Sequence, residues 1–97
     1  MEAAIADWSE AIRIEPTAWA CIRRGEARVG LAELSAALDD FTRAIELDPR
    51  LPDAYLARAR LRPTVGDLER ALAVAPRGWE GRSEAEAELR CLRRITA

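Results

Sequence analysis

Lysine, histidine, asparagine and glutamine are all missing from this 97-residue chain, so each of its 15 basic residues is an arginine. There is no histidine or lysine to serve as general base, no Gly-rich phosphate loop and no serine-nucleophile motif, so the chain is not expected to be an enzyme. Cysteine is scarce as well. Cys21 and Cys91 stand far apart, follow no ligand spacing and have no histidine to complete a zinc site, so they read as reduced thiols used as small apolar residues rather than as a disulfide. No metal, nucleotide or other cofactor is expected. No apolar run approaches the ~20 residues of a membrane span, and Glu2 and Asp7 stand where a signal peptide would be basic. A cytoplasmic location without membrane partners is the expectation. With 17 acidic residues against 15 basic ones the formal net charge is −2, so there is no basic excess to hold nucleic acid. Abundant Ala and Arg read as the codon usage of a GC-rich, bacterial-like genome.

What is present is globular and repetitive. Apolar residues make up 49% and charged residues 33% of the chain, a composition that folds as one domain at most, of moderate stability. The stretch Ala36 to Pro49, AALDDFTRAIELDP, has altered copies on both sides. Ala3 to Pro16 (AAIADWSEAIRIEP) places Trp8 where the later copy has Phe41, and Gly66 to Pro76 (GDLERALAVAP) places Leu68 there. Self-similarity of this kind means that each unit buries its apolar face against the next.

From Glu2 to Ile14 the residues Ala4, Ile5, Trp8, Ala11 and Ile12 recur at helical spacing, and Pro16 ends the helix because the residue before a proline is driven out of the helical region. Thr17 is expected to cap a second helix, Ala18 to about Gly30, with Trp19, Ile22, Ala27 and Val29 as its apolar residues and Gly30 as its stop. A third, Glu33 to Leu47, carries Leu34, Ala37, Leu38, Phe41, Ala44 and Ile45 on one stripe, wide enough for two neighbours. Pro52 suits the first turn of a fourth helix, where its missing N–H costs nothing, and Tyr55, Leu56, Ala59 and Leu61 continue it toward Pro63. A short fifth helix, Val65 to Val74, turns Leu68, Ala71 and Leu72 inward. Ser83 and Glu86 form a capping box for a last, charged helix bearing Ala85, Leu89, Leu92 and Ile95. The reading is all-α, with six helices and no strand. Asp39 and Asp40 are adjacent and point apart around their helix, which suits a solvated face rather than an acid–base pair.

Gly25 supplies a small residue in a first helix, Ala37 and Phe41 make an Ala-x₃-aromatic pair, Ala44 follows one turn on, and Pro49 closes the unit. Ala4, Trp8, Ala11 and Pro16 repeat the second half. On these residues the chain resembles the tetratricopeptide repeats, 34-residue helix–turn–helix units, best from Ala18 to Pro49. The resemblance implies an antiparallel α-solenoid stack in a single domain: a half repeat over 1–16, a full repeat over 17–49, a shortened repeat over 50–76 and a capping helix over 80–97. Cys21, Arg24 and Arg28 depart from the family's Trp, Leu and Tyr, and Tyr55, Arg58, Ala59 and Arg62 take the corresponding places in the next unit. Pro16 and Pro49 lie 33 residues apart but Pro49 and Pro76 only 27, which puts a truncation around Pro63 to Gly66.

Charge is sorted by helix: Ala18 to Gly30 carries +2 and Arg50 to Pro63 +3, against −3 for Glu2 to Glu15 and −4 for Glu33 to Asp48. In the family the first helices line a concave groove, so the resemblance implies a relatively basic groove faced by Trp19, Ile22, Arg23, Glu26, Asp53, Leu56 and Arg60. The implied function is a protein–protein interaction or scaffolding module that holds a peptide segment of an acidic or amphipathic partner. The alternative is a structural, self-associating unit, or a piece of a longer array, with no separate ligand. Two plainer readings stand beside the groove: the arginines pair with acids on neighbouring helices, and Trp19 is a core residue. The family's carboxylate clamp for chaperone C-termini is disfavoured, since it depends on Lys and Asn, which this chain lacks, and Ile22 and Glu26 occupy places where it would want those polar groups. The first helix is of the second type and lacks a first-type partner. Its Ile5, Trp8 and Ile12 are covered either by Ala18 to Gly30 or by homo-oligomeric association or a partner.

Overall fold

Threonine sets the start of two helices. The Thr17 hydroxyl accepts the Ala20 amide at 3.1 Å and the Thr64 hydroxyl accepts the Asp67 amide at 3.3 Å, each satisfying a donor that a helix N-terminus leaves open. The computed structural model describes residues 2–96. Among them the chain is all-helical: α1 (Glu2–Ile14), α2 (Ala18–Gly30), α3 (Leu34–Leu47), α4 (Pro52–Leu61), α5 (Val65–Val74) and α6 (Arg82–Thr96). Pro52 opens α4 at its first position, with Asp53 beside the positive end of the helix dipole.

Two termini differ from expectation. The left-handed residue that closes α2 is Ala32, with φ 60°, rather than Gly30. The Ala32 amide donates to the Val29 carbonyl at 3.0 Å and the Glu33 amide to the Arg28 carbonyl at 2.8 Å, the Schellman pattern. An alanine there carries a Cβ penalty of about 1–2 kcal/mol. The other difference is at α6, which starts at Arg82, whose amide donates to the Trp79 carbonyl at 3.2 Å. Ser83 therefore lies inside the first turn and is not its cap.

The helices form two compact units, Met1–Pro49 and Arg50–Ala97. In the first, α2 packs against both α1 and α3. The α2–α3 approach is close because Gly25 has no side chain: a Cβ there would lie 2.5 Å from Phe41 Cε1. Phe41, Ala37 and Ala44 are all buried, as the repeat pattern requires, and burial of the ring is worth about 1.5–3 kcal/mol. Cys21 is fully enclosed; burial, reinforced by the Asp40 charge, pushes its thiol above the ordinary range, so it serves as apolar filling. Cys91, also free, is exposed on α6 and fills no core. Trp19, Val29 and Leu34 are exposed, and the buried surface of α2 is made instead by Ala18, Ala20, Cys21, Ile22, Gly25 and Ala27.

In the second unit α5 packs against both α4 and α6. Its core joins Leu56, Ala59, Leu68, Ala85 and Leu89, with Val65, Leu72, Trp79 and Leu92 against it. Ile95, in line with Leu92 on the sequence pattern, is exposed. α4 and α5 have 10 residues each against 13 for α2 and 14 for α3, about one turn less per helix.

Candidate functional site

The sorting of charge by helix resolves into ion pairs. Arg24 and Arg28 sit one turn apart on α2, so both guanidinium groups reach α3. Arg24 Nη2 donates to Asp40 Oδ1 at 2.7 Å, and Arg24 Nε lies 3.1 and 3.2 Å from the two carboxylate oxygens. Arg28 Nη1 donates to Asp40 Oδ2 at 3.1 Å, and Arg24 Nη1 reaches back to Ser9 Oγ on α1 at 3.2 Å. Asp40 is 2% exposed, so one buried carboxylate holds two cations; Arg28 Nε is buried with no hydrogen-bond partner. The solvated-face expectation is corrected for Asp40, while Asp39 is exposed. Neighbours on a helix are turned by about 100°, which is enough to put one carboxylate inside and the other in water.

The second unit repeats the device. Arg58, 34 positions after Arg24, holds Asp67 through Nη2 to Oδ1 at 2.7 Å and Nε to Oδ2 at 2.9 Å. That hydrogen bond fixes the guanidinium charge more firmly still. Asp67 is the counterpart of Asp40 in the shorter copy, whereas Arg62, the counterpart of Arg28, is exposed. The arginines at Arg24, Arg28 and Arg58, which depart from the family pattern, are thus residues of the fold.

Of the residues projected onto a groove, those on α2 and those on α4 fare differently. Trp19 is 46% exposed, so the core reading of it is corrected. The Arg23 guanidinium lies 5.4 Å from the centroid of its ring, and Arg23 Nη1 donates to Glu26 Oε1 at 2.9 Å. These three make one exposed patch with an aromatic face, a cation and a carboxylate. Ile22 is buried beside them.

On α4 each projected residue is met by the segment 79–84. Trp79 Nε1 donates to Asp53 Oδ1 at 3.2 Å. Leu56 lies in the core beside Trp79 and Gly81; a Cβ on Gly81 would fall 2.5 Å from Trp79 Cζ2 and 2.8 Å from Leu56 Cδ2. Arg60 forks onto Glu84, with Nη2 to Oε1 at 2.6 Å and Nε to Oε2 at 2.8 Å. This pairing holds the Glu84 carboxyl below the usual glutamate range. A small cleft beside it is lined by Leu56, Ala59, Pro63 and Leu68 and by the charged Arg60, Glu84 and Glu88. Sequence reasoning missed this closing segment. Trp79 and Gly81 belong to no repeat copy, and only the bulk of a lone Trp between helices hints at it.

Among the described residues no group of three or more His, Cys, Asp or Glu could hold a metal ion, and no helix is long and apolar enough to cross a membrane. The patch on α2 offers contact chemistry: apolar area, one positive and one negative group.

The chain is 31% identical over 87 residues to the tetratricopeptide repeat and J domain-containing co-chaperone DNJ1 of Cryptococcus neoformans, a match that takes in 89% of this chain and 17% of that protein. It is 35% identical over 82 residues to sperm-associated antigen 1 of Mus musculus, covering 77% of this chain and 9% of that protein. The chain thus spans less than a fifth of either relative's length. No family model matches it, and no solved structure does so significantly.

Proposed function

The chain is built of tetratricopeptide-type repeats, and on that premise we propose that it is a protein–protein interaction module that takes a peptide segment of a partner on the exposed face of α2. The observation that carries this is Trp19. A tryptophan left 46% exposed, with Arg23 over its ring, costs solvent-exposed apolar area that the fold does not use, and Trp and Arg are the residue types that dominate binding energy at interfaces. An acidic group of the partner would replace Glu26 on Arg23, and an apolar one would lie on the indole. The partner segment is therefore read as acidic and amphipathic.

The test is an array of acidic amphipathic peptides probed with the labelled wild-type chain, Trp19→Ala and Arg23→Glu. Truncating a central tryptophan removes about 2 kcal/mol or more, so the retained peptides should weaken at least tenfold with Trp19→Ala. Peptides held equally by wild type and both variants would refute the α2 face.

A further inference from the structure

Ala37, Asp40, Phe41 and Ala44 are all buried on α3, at the i, i+3, i+4, i+7 spacing of a single stripe. α5 repeats the last three as Asp67, Leu68 and Ala71, also buried. In both units the preceding helix covers the stripe with an arginine and the small residue that follows it. Arg24 takes Asp40 while Gly25 lies against the Phe41 ring; Arg58 takes Asp67 while Ala59 shares a core with Leu68.

α1 carries the stripe a third time, as Ala4, Asp7, Trp8 and Ala11. Here Asp7 is exposed and Ala4, Trp8 and Ala11 are only half-buried. Among the described residues Asp7 has no hydrogen bond or ion pair, and Arg13, the one arginine of α1, is taken by Glu10. α1 packs against α2, and Ser9 of α1 accepts a hydrogen bond from Arg24.

We propose that this stripe is a docking site for an amphipathic helix of a partner polypeptide that carries arginine followed by glycine, laid on α1 as α2 is laid on α3. The arginine is specified by Asp7, whose two counterparts each bind a guanidinium. The glycine is specified by Trp8: the Phe41 ring already leaves no room for a Cβ, Leu68 tolerates Ala59, and an indole is larger than either. A second copy of the chain is the wrong occupant. Its two Arg-Gly pairs are Arg24-Gly25, engaged with Asp40 and Phe41, and Arg77-Gly78, which lies between helices. The surface is separate from the Trp19 patch and does not rest on that reading.

The test uses the full chain labelled with ¹⁵N and, as probe, an unlabelled synthetic peptide of residues 17–31, which carries the Arg24-Gly25 pair. The expected result is a shift of the Trp8 indole resonance and of the amides of Ala4, Asp7 and Ala11 at peptide concentrations up to ~1 mM, with affinity lowered about tenfold or more in Asp7→Arg. A peptide with Arg24→Asp should regain affinity for the Asp7→Arg chain, and a peptide with Gly25→Leu should lose it for wild type. No shift at ~1 mM, or binding unchanged by Asp7→Arg, would overturn the proposal. So would shifts centred on α3, which mean that the peptide displaces the chain's own α2. Concentration-dependent movement of Trp8 without peptide assigns the face to a second copy and equally overturns it.

Discussion

Replacing Asp40 by asparagine takes one negative charge from between two guanidinium groups and leaves the shape of the side chain almost unchanged. Removing one member of a buried ion cluster typically costs about 3–5 kcal/mol, because the remaining charges stay desolvated and uncompensated. Here the Arg24 and Arg28 side chains retain 19% and 22% exposure, and the asparagine oxygen still accepts one hydrogen bond, so the lower end, about 3 kcal/mol, is expected. Asp67→Asn should cost less, about 2 kcal/mol, since among the described residues Asp67 is ion-paired with Arg58 alone and its side chain is 12% exposed. For a chain whose total stability is about 5–15 kcal/mol, either change is large. Urea denaturation followed by far-ultraviolet circular dichroism measures both. Replacing the whole cluster at once, with Arg24→Leu, Arg28→Met and Asp40→Leu, should recover most of the loss, because an apolar set of similar volume carries no desolvation cost. The reasoning fails if Asp40→Asn stays within about 0.5 kcal/mol of wild type, or if the triple variant is less stable than the single one.

Gly25→Ala should destabilise by about 2–3 kcal/mol, because the added Cβ meets the Phe41 ring at 2.5 Å; a thermal melt checks this, and Phe41→Leu in the same chain should restore part of the loss. Ala32→Gly should stabilise by about 0.5–1 kcal/mol, since it relieves the left-handed alanine at φ 60° by more than it adds to unfolded-chain entropy; a melt at or below wild type would remove the strain argument. Acid stability tests the Arg60–Glu84 pair. The Glu84 carboxyl titrates below its unfolded value of about 4.3, so its contribution is present above that pH and is lost as pH falls through the folded value. Glu84→Gln should therefore lose less stability than wild type between pH 5 and pH 3, by a small margin that high salt erases, because both side chains are about half-exposed.

The helices were legible because their ends are written in local chemistry: Thr17 and Pro52 open helices, and Pro16 and Pro63 close them. Phe41 and Ala44 were legible as buried because three copies show the same spacing, and Ala37 because two of them do. The charge sorting was visible, but its meaning was not. Periodicity counts Arg24, Arg28 and Asp40 as polar and therefore outward, while in the fold a carboxylate matched by guanidinium groups across a helix pair is buried with them. Large apolar residues misled in the opposite direction. Trp19 lies outside because α2 buries its glycine and small residues, which let helices approach more closely than an indole would; Leu34, at the first position of α3, is exposed as well. The engagement of Asp53, Leu56 and Arg60 was out of reach for a different reason. It depends on Trp79, Gly81 and Glu84, more than twenty residues later and outside every repeat copy.

The three tryptophan indoles of the chain report on three different environments: Trp8 on the half-buried stripe of α1, Trp19 exposed beside Arg23, and Trp79 hydrogen-bonded to Asp53. Titrating the ¹⁵N-labelled chain with an acidic amphipathic peptide retained on the array therefore tests the interaction reading in one experiment. The account predicts that the Trp19 indole moves together with the Arg23 and Glu26 amides, while the Trp79 indole keeps its position. Saturable binding that shifts Trp79 and the amides of α4 to α6 and leaves Trp19 in place would contradict it.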